Sequence, residues 1–320
     1  MSSEITVVVP YYNESKNIET TLEQLSDQTL PAKRALFINS SSNDNTSEVI
    51  DEWIQKNKDY NVTEFENIFE NTNNPGSSKN IGIKHSKTEW IAFMDCGLNF
   101  DPDWLKIQSS FVKKNEVDVS FGVVKLSGIN WVDRCAVAQT YGYQRNRPCV
   151  PSTLVKRSVF ERTGFFLVGR RSGYDMAWRL KLNRIGIKNE INNKVEVSYN
   201  GRNFSSTLLE LFQKSILYAR PALGLEGYTV PYYYLLFFFL TLFIASQSYV
   251  IGIIILLIYI FFRTFVTPVI KSNGIEFYKK HPVEALIGLG VTGIIIDFGK
   301  ISGYVFGIFD YIKKKLKIKN

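Results

Sequence analysis

Two aspartates are the residues here best suited to chemistry: Asp95, in Phe93-Met94-Asp95-Cys96-Gly97, and Asp175, in Ser172-Gly173-Tyr174-Asp175-Met176. Asp95 closes an apolar run, 90–94, so its carboxylate is expected just past the end of a strand. A carboxylate there suits a hard divalent cation such as Mg2+ or Mn2+, which takes oxygen ligands and leaves room for phosphates. The plain alternative is an Asp that only shapes the turn. Asp175 opens a helical pattern over 176–182. It can act as a general base within hydrogen-bond reach of an acidic proton, or simply cap the helix.

The elements that must position these residues are legible around them. An apolar strand, 5–9, breaks at Pro10 into Tyr11-Tyr12-Asn13-Glu14. A helix with Ile18, Leu22 and Leu25 on one face follows, then a strand at 35–38 that runs into Asn39-Ser40-Ser41-Ser42-Asn43-Asp44-Asn45-Thr46. Asp44–Thr46 supplies capping side chains for a helix burying Val49, Ile50, Trp53 and Ile54. Residues 73–83 read as a turn opening another short helix, and 117–125 as a further strand. Alternating strands and helices predict a layered α/β sheet. Ligands of such sheets sit beyond the carboxyl ends of the strands, and 10–14, 39–44 and 95–97 all fall there. No GxGxxG or Walker-type glycine loop follows the first strand, which argues against a dinucleotide or P-loop site.

Composition divides the chain in two. It has 320 residues and a net charge of +8, with five lysines in the last eight residues: Lys313, Lys314, Lys315, Lys317 and Lys319. Basic charge suits nucleic acid, anionic membrane or phosphorylated substrates. The basic residues are not interleaved with a stacking surface, so nucleic acid is not expected as a partner. Cys96, Cys135 and Cys149 form no CxxC pair and the two histidines no metal cluster, which fits a reduced, cytosol-facing setting. Met1-Ser2-Ser3-Glu4 leads straight into a strand, so no cleavable signal is expected.

From about residue 229 the chain turns apolar. Two membrane helices are predicted near 230–246 and 249–270, with Tyr232-Tyr233-Tyr234 in the interfacial belt. A third apolar segment, 283–309, carries Asp297 and Lys300 and is expected to be re-entrant or to lie in the interface. Lys271, Lys279 and Lys280 mark the loop before it as cytosolic. The lysine-rich tail would then lie on anionic lipid, each lysine adding about 1 kcal/mol near the surface. Residues 206–228, with Leu208, Leu211, Phe212 and Ile216, read as an amphipathic interfacial linker helix. The expected organisation is a catalytic domain over 1–205, this linker, and a membrane region over 229–320.

Val7-Val8-Val9-Pro10-Tyr11-Tyr12-Asn13-Glu14 resembles the opening of glycosyltransferase family 2, the nucleotide-sugar-dependent enzymes of GT-A fold. Ser42-Asn43-Asp44-Asn45-Thr46 resembles the loop after that family's second strand, and Ser78-Lys79-Asn80-Ile81-Gly82 its alanine-arginine-asparagine-x-glycine turn. Phe93-Met94-Asp95-Cys96-Gly97, with Pro102 and Trp104-Leu105, resembles the metal-binding strand end. Val155–Phe160 through Gly164-Phe165 looks like the acceptor-side segment, and Ser172–Leu180 like the glycine-glutamate-aspartate helix start. The matches keep sequence order over about residues 5–182.

The resemblance implies an α/β, GT-A-type (Rossmann-like) mixed sheet with flanking helices, followed by the helical membrane region. It implies an inverting, metal-dependent transferase acting in cell-envelope polysaccharide synthesis at the inner membrane, multi-pass, with its catalytic domain cytoplasmic. Pro10, Tyr12, Asn13, Glu14, Asn39, Ser40, Lys79 and Asp95 would bind the nucleotide-sugar donor, Asp95 would hold Mg2+ or Mn2+, and Asp175 would be the base. Its partners would be that donor, a lipid-linked or membrane-proximal glycan acceptor, and membrane lipids. Gln213 is followed by Lys-Ser-Ile, so the QxxRW signature of processive synthases is missing and single-sugar transfer is expected. The chain departs from the family at Asn39-Ser40, where relatives carry aspartates that read the base, at Gly97 in place of a second acid, and at Tyr174 in place of glutamate. Arg145, Arg147, Arg170 and Arg171 could meet phosphates but read first as surface charges. Two alternatives remain: transfer onto polyprenyl phosphate, and a degenerate membrane-tethered nucleotide-binding or scaffold protein.

Overall fold

The computed structural model describes residues 4–59, 62–70, 74–169, 172–199, 205–222 and 229–317, the side chains of 314–317 aside. In chain order the elements are β1 (Ile5–Tyr11), α1 (Ile18–Ser26), β2 (Arg34–Asn39), α2 (Thr46–Asn57), β3 (Glu64–Phe69), α3 (Pro75–His85), β4 (Trp90–Phe93), β5 (Leu98–Asn99), α4 (Trp104–Asn115), β6 (Val119–Val124) and α5 (Trp131–Thr140). They continue with β7 (Arg147–Lys156), α6 (Val159–Thr163), α7 (Tyr174–Arg184), β8 (Asn189–Tyr199), α8 (Leu208–Ala219), α9 (Val230–Gln247), α10 (Tyr249–Phe261), α11 (Thr267–Lys271), α12 (Glu276–Lys280) and α13 (Leu289–Lys317).

Two compact units result: Met1–Lys125 with Asn146–Asn200, and Leu126–Arg145 with Gly201–Asn320. Leu126–Arg145 thus cluster with the C-terminal helices.

The first unit is a mixed eight-stranded sheet in the order β3-β2-β1-β4-β7-β6-β8-β5. β1, β2, β3 and β4 run parallel, whereas β7 pairs antiparallel with both β4 and β6. Val7, Val8 and Val9 are fully buried, as expected for a central parallel strand covered on both faces. Pro10 does not break β1, contrary to the sequence expectation; the strand runs one residue further, to Tyr11. The reason is local. Val8 carbonyl bonds Met94 on the β4 side and Tyr11 carbonyl bonds Ser40 on the β2 side, so by alternation Pro10 faces the side where β4 has already ended. Its missing N–H removes no ladder bond there.

α3 crosses β1 closely. A Cβ at Gly82 would lie 2.2 Å from Val8 Cγ1, so only glycine permits this approach. Asn74 caps the helix by accepting from Ser77 N–H at 3.0 Å, and Pro75 occupies its first turn. In the same buried cluster as Val8, the rings of Phe93, Phe160, Phe166 and Trp178 tie β4 to α6 and α7.

In the second unit α8 lies against α13. Cβ atoms at Gly299 and Gly303 would come within 2.5 Å of Ser215 Cβ and 2.7 Å of Ile216 carbonyl, a close approach of the kind small residues allow. α10 continues through a wider π turn at Phe262–Val266 into α11. Pro268 cannot donate to Thr264 carbonyl, and the Tyr278 hydroxyl bonds that carbonyl instead. Three helical stretches are long and apolar enough to cross a membrane: Val230–Gln247, Tyr249–Lys271 and Glu284–Lys313. The third, expected to be re-entrant or to lie in the interface, is one continuous helix that does not fold back.

Candidate active site

The carboxyl ends of β1, β2 and β4 and the starts of α3 and α7 build the site. α3 delivers Lys79, whose side chain has no exposed surface, to within 2.8 Å of Asp95 Oδ1. Burial alone would pull this ammonium below the ordinary lysine range. The Asp95 carboxylate, helped by Tyr174, outweighs burial and holds it above that range. Lys79, expected at the nucleotide, is thus enclosed and paired with Asp95. Asp95 keeps 33% of its side chain exposed.

The loops after β1 and β2 are locked to each other. Asn13 and Ser41 both sit in the left-handed region, at φ 54° and 64°. Asn13 Nδ2 donates to Asn43 Oδ1 at 2.7 Å, Asn43 N–H returns a bond to Asn13 Oδ1 at 2.9 Å, and Asn13 N–H bonds Ser42 Oγ at 3.1 Å. Such reciprocal bonds hold a conformation that non-glycine residues rarely adopt. Burial is the largest single influence on Asp44 and raises its carboxyl, but the bonds it accepts from Thr46 and from Ser15 N–H together outweigh burial and keep it below the usual range. Glu14 N–H bonds Thr46 Oγ1, and the Glu14 carboxylate accepts from Asn17 at 2.9 Å.

Asn39, expected at the nucleotide base, is buried and its Oδ1 accepts from Ser42 N–H at 2.7 Å, so that oxygen is committed inside the loop. Ser40 Oγ lies 2.6 Å from Ser78 Oγ, tying β2 to α3. Pro10 is half-buried, and Tyr12, half exposed, presents its ring outward. Cys96 reports how near two acids are. Burial raises its thiol, and the charges of Glu14 and Asp95 raise it further.

Asp175 lies in the first turn of α7, but Gly173, with φ 78°, is the capping position and no side chain caps the helix. The capping alternative for Asp175 therefore fails. Among the described residues Asp175 makes no hydrogen bond or ion pair, and it is half-buried. Beside it, burial pushes the Tyr174 phenol up to about 12, against the pull of Lys79. Burial likewise pushes the Cys149 thiol up to about 12, with Asp95, Arg179 and Asp175 all close enough to act on it.

Arg179, one turn after Asp175, rests its guanidinium 5.2 Å from the Phe121 ring centroid. Sequence reasoning missed Cys149 and Arg179. The i, i+4 spacing of Asp175 and Arg179 was readable on one helix face; nothing local marks Cys149. Asn80 clamps the segment leading to α7 through Asn80 Nδ2 to Phe166 carbonyl and Phe166 N–H to Asn80 Oδ1, both 2.9 Å. Arg147 opens β7, Arg145 bonds the carbonyls of Ile270 and Lys271, and Arg170 and Arg171 lie outside the described residues.

Among the described residues no group of three His, Cys, Asp or Glu gathers around a point. One Asp95 oxygen is held by Lys79, and Gly97 adds no ligand. The donor set fits a divalent cation only as a single carboxylate oxygen completed by phosphates, consistent with hard-cation preferences.

A parallel strand-end pocket with one carboxylate after β4 and another opening α7, on a mixed sheet with flanking helices, defines a GT-A transferase scaffold. Residues 6–176 match Glycosyl transferase family 2, more than half of the chain, and the chain belongs to that family. The expected enzyme class, glycosyltransferase, is the family's own. The chain is similar to the poly(ribitol-phosphate) beta-glucosyltransferase of Bacillus spizizenii, 31% identical over 128 residues that cover 39% of this chain and 19% of that protein. It thus spans about a fifth of that relative's length. It is also similar to Glycosyltransferase AglE of Haloferax volcanii, 22% identical over 222 residues that cover 65% of this chain and 71% of that protein. The mannosyltransferase PcManGT from Pyrobaculum calidifontis, in complex with GDP-Man and Mn2+, shares the fold with a TM-score of 0.50 and 17% identity, over 68% of this chain and 62% of that one.

Proposed function

We propose that this protein is a membrane-anchored inverting glycosyltransferase that moves one sugar from a nucleotide-sugar donor to a lipid-linked or membrane-proximal glycan acceptor. The observation that carries this reading is the meeting of Asp95, beyond β4, and Tyr174, next to Asp175 at the start of α7, on the one side chain of Lys79 in a family 2 domain. Asp175, without a hydrogen-bond partner among the described residues, takes the proton from the acceptor hydroxyl as that oxygen attacks the sugar carbon. The bond to the donor diphosphate breaks on the opposite face, and a single displacement inverts the configuration. Asp95, oriented by Lys79, faces the diphosphate end. A divalent cation held by its other oxygen would supply neutralisation of the leaving diphosphate. Tyr12, Asn13, Glu14 and Ser40 line the nucleotide side, and Pro10 sets the strand end beneath them.

Related names favour glycan acceptors: the Bacillus spizizenii relative is named for poly(ribitol phosphate). The three apolar helical stretches favour an acceptor at a membrane, with the catalytic unit on the cytoplasmic side of the inner membrane and the chain multi-pass. They equally suit transfer onto polyprenyl phosphate, whose oxygen is already ionised and needs no base. The test is a panel of nucleotide sugars with purified protein and Mn2+ or Mg2+, followed by Asp175→Asn and Asp95→Ala. Full activity of Asp175→Asn would favour the phosphate acceptor. Absence of binding or turnover with every donor would leave only a scaffold.

A further inference from the structure

The apolar helices of the second unit bring charged and phenolic side chains to one place. Arg263 Nε lies 3.0 Å from Asp297 Oδ2, with both side chains close to one-tenth exposed, at 11% and 10%. The hydroxyls of Tyr234 and Tyr259 donate to the same carboxylate, Tyr259 at 2.8 Å. Lys300, one turn along α13 from Asp297, holds its ammonium 5.8 Å from the Tyr234 ring centroid. Asp297 is therefore matched by one cation and two neutral donors, which leaves Lys300 in excess. Among the described residues no carboxylate forms an ion pair with it. Locking three helices together explains Arg263 and Asp297; it does not explain a second cation.

Helix geometry gives the depth. At 1.5 Å per residue, Tyr234 lies about 6 Å from the start of α9 and Arg263 about 12 Å from Lys271, while the turn at Ser248 is about 20 Å from each. The cluster is thus nearer the end of the hairpin that carries Lys271, Lys279 and Lys280 than its turn, and a long lysine side chain there can snorkel toward the headgroups.

We propose that Lys300, with Tyr234 and Arg263 beside it, binds the phosphate of a membrane lipid. The ammonium pairs with the phosphate anion, and exposed apolar residues such as Leu236 and Phe237 on α9 lie along acyl or prenyl chains. The proposal rests on reading these helices as membrane-embedded, within the function proposed above.

The test uses the full chain in phosphatidylcholine nanodiscs, titrated with phosphatidic acid, polyprenyl phosphate or inorganic phosphate and followed by native mass spectrometry. Wild type should retain an anionic lipid in preference to phosphatidylcholine, Lys300→Gln should bind it about tenfold more weakly, and Lys300→Arg should recover binding. Preference for polyprenyl phosphate over phosphatidic acid would identify the acceptor carrier as the source; equal retention would identify bulk headgroups. No preference for anionic lipid in wild type, unchanged retention in Lys300→Gln, or equal occupancy by inorganic phosphate would overturn the proposal. Lipid retention is read without sugar transfer, so its failure leaves the donor reading standing. Recovery of soluble protein without detergent would instead remove the membrane reading.

Discussion

Lys79 donates to Asp95 across 2.8 Å from a side chain that is wholly enclosed, while Asp95 remains open enough to meet a ligand. One member of the pair is structural and the other faces outward. Removing the carboxylate leaves a buried, uncompensated ammonium, and removing the ammonium frees the carboxylate. The two substitutions should therefore differ. Asp95→Ala should cost about 3 kcal/mol of stability, the low end of the range for a broken buried pair because Asp95 is partly solvated. Lys79→Met should cost less stability but loosen Asp95, raising the donor KM. Urea unfolding of both variants, with donor kinetics of Lys79→Met, checks this; equal melting of Asp95→Ala and wild type would refute it.

The same pocket sets an alkaline limit. Tyr174 is raised to about 12 from an ordinary value near 10, chiefly by burial, and Lys79 is raised by Asp95 and Tyr174 despite burial. Both groups bind protons more tightly folded than unfolded. Their contribution is complete below their unfolded values and is lost as pH rises through the folded ones. Stability from this site should be flat across neutral pH and fall from about pH 10 upward. Tyr174→Phe should remove the phenol's part of that fall, and phenolate absorbance in wild type should show one tyrosine titrating late.

Much of this site was legible in the chain because its parts lie at strand ends and helix starts, where composition changes abruptly. The apolar runs before Asn39 and Asp95 marked β2 and β4, and Ser172-Gly173 marked the entry to α7. β7 and β8 were not legible. Pro148 and Pro151 stand within β7, where proline argues against a strand; the pairing with β6 shifts register nearby, and Pro148 sits opposite Val123. β8 reads Asn-Glu-Ile-Asn-Asn-Lys, without the alternation that signals a half-buried strand. Residues Leu126–Arg145 leave the sheet unit by tertiary packing: Cys135 and Ala138 are buried with Phe277 and Leu289. No local pattern announces a partner so far along the chain. Nor could the sequence tell that Lys79 points inward, since the close approach of Gly82 to Val8 that presses α3 onto the sheet joins residues far apart in the chain.

Among the described residues Asp175 makes no hydrogen bond or ion pair, so replacing it should leave the fold intact. Asp175→Asn keeps the shape and removes the base. Turnover should fall by about 100-fold to 10,000-fold with an unchanged donor KM and an unchanged melting temperature. Steady-state kinetics alongside thermal unfolding separates this from a structural role, in which melting would drop as well.

Asn80 should act on catalysis without touching substrate. Its amide makes two bonds to the Phe166 backbone and is buried, so Asn80→Ala leaves a buried N–H and a buried carbonyl without partners. That should cost about 1–3 kcal/mol. Phe166 packs on Tyr174 and Trp178 of α7, with centroid separations of 5.7 and 5.1 Å, so a relaxed clamp should also let the start of α7 drift. Asp175 rides on that turn. Turnover should then fall by more than the unfolded fraction explains, because a small misplacement of a base is costly. Asn80→Asp, which can still accept from Phe166 N–H but cannot donate to its carbonyl, should fall between Asn80→Ala and wild type in both melting and turnover. Turnover that follows only the folded fraction across the series would mean that the clamp stabilises the fold without positioning Asp175.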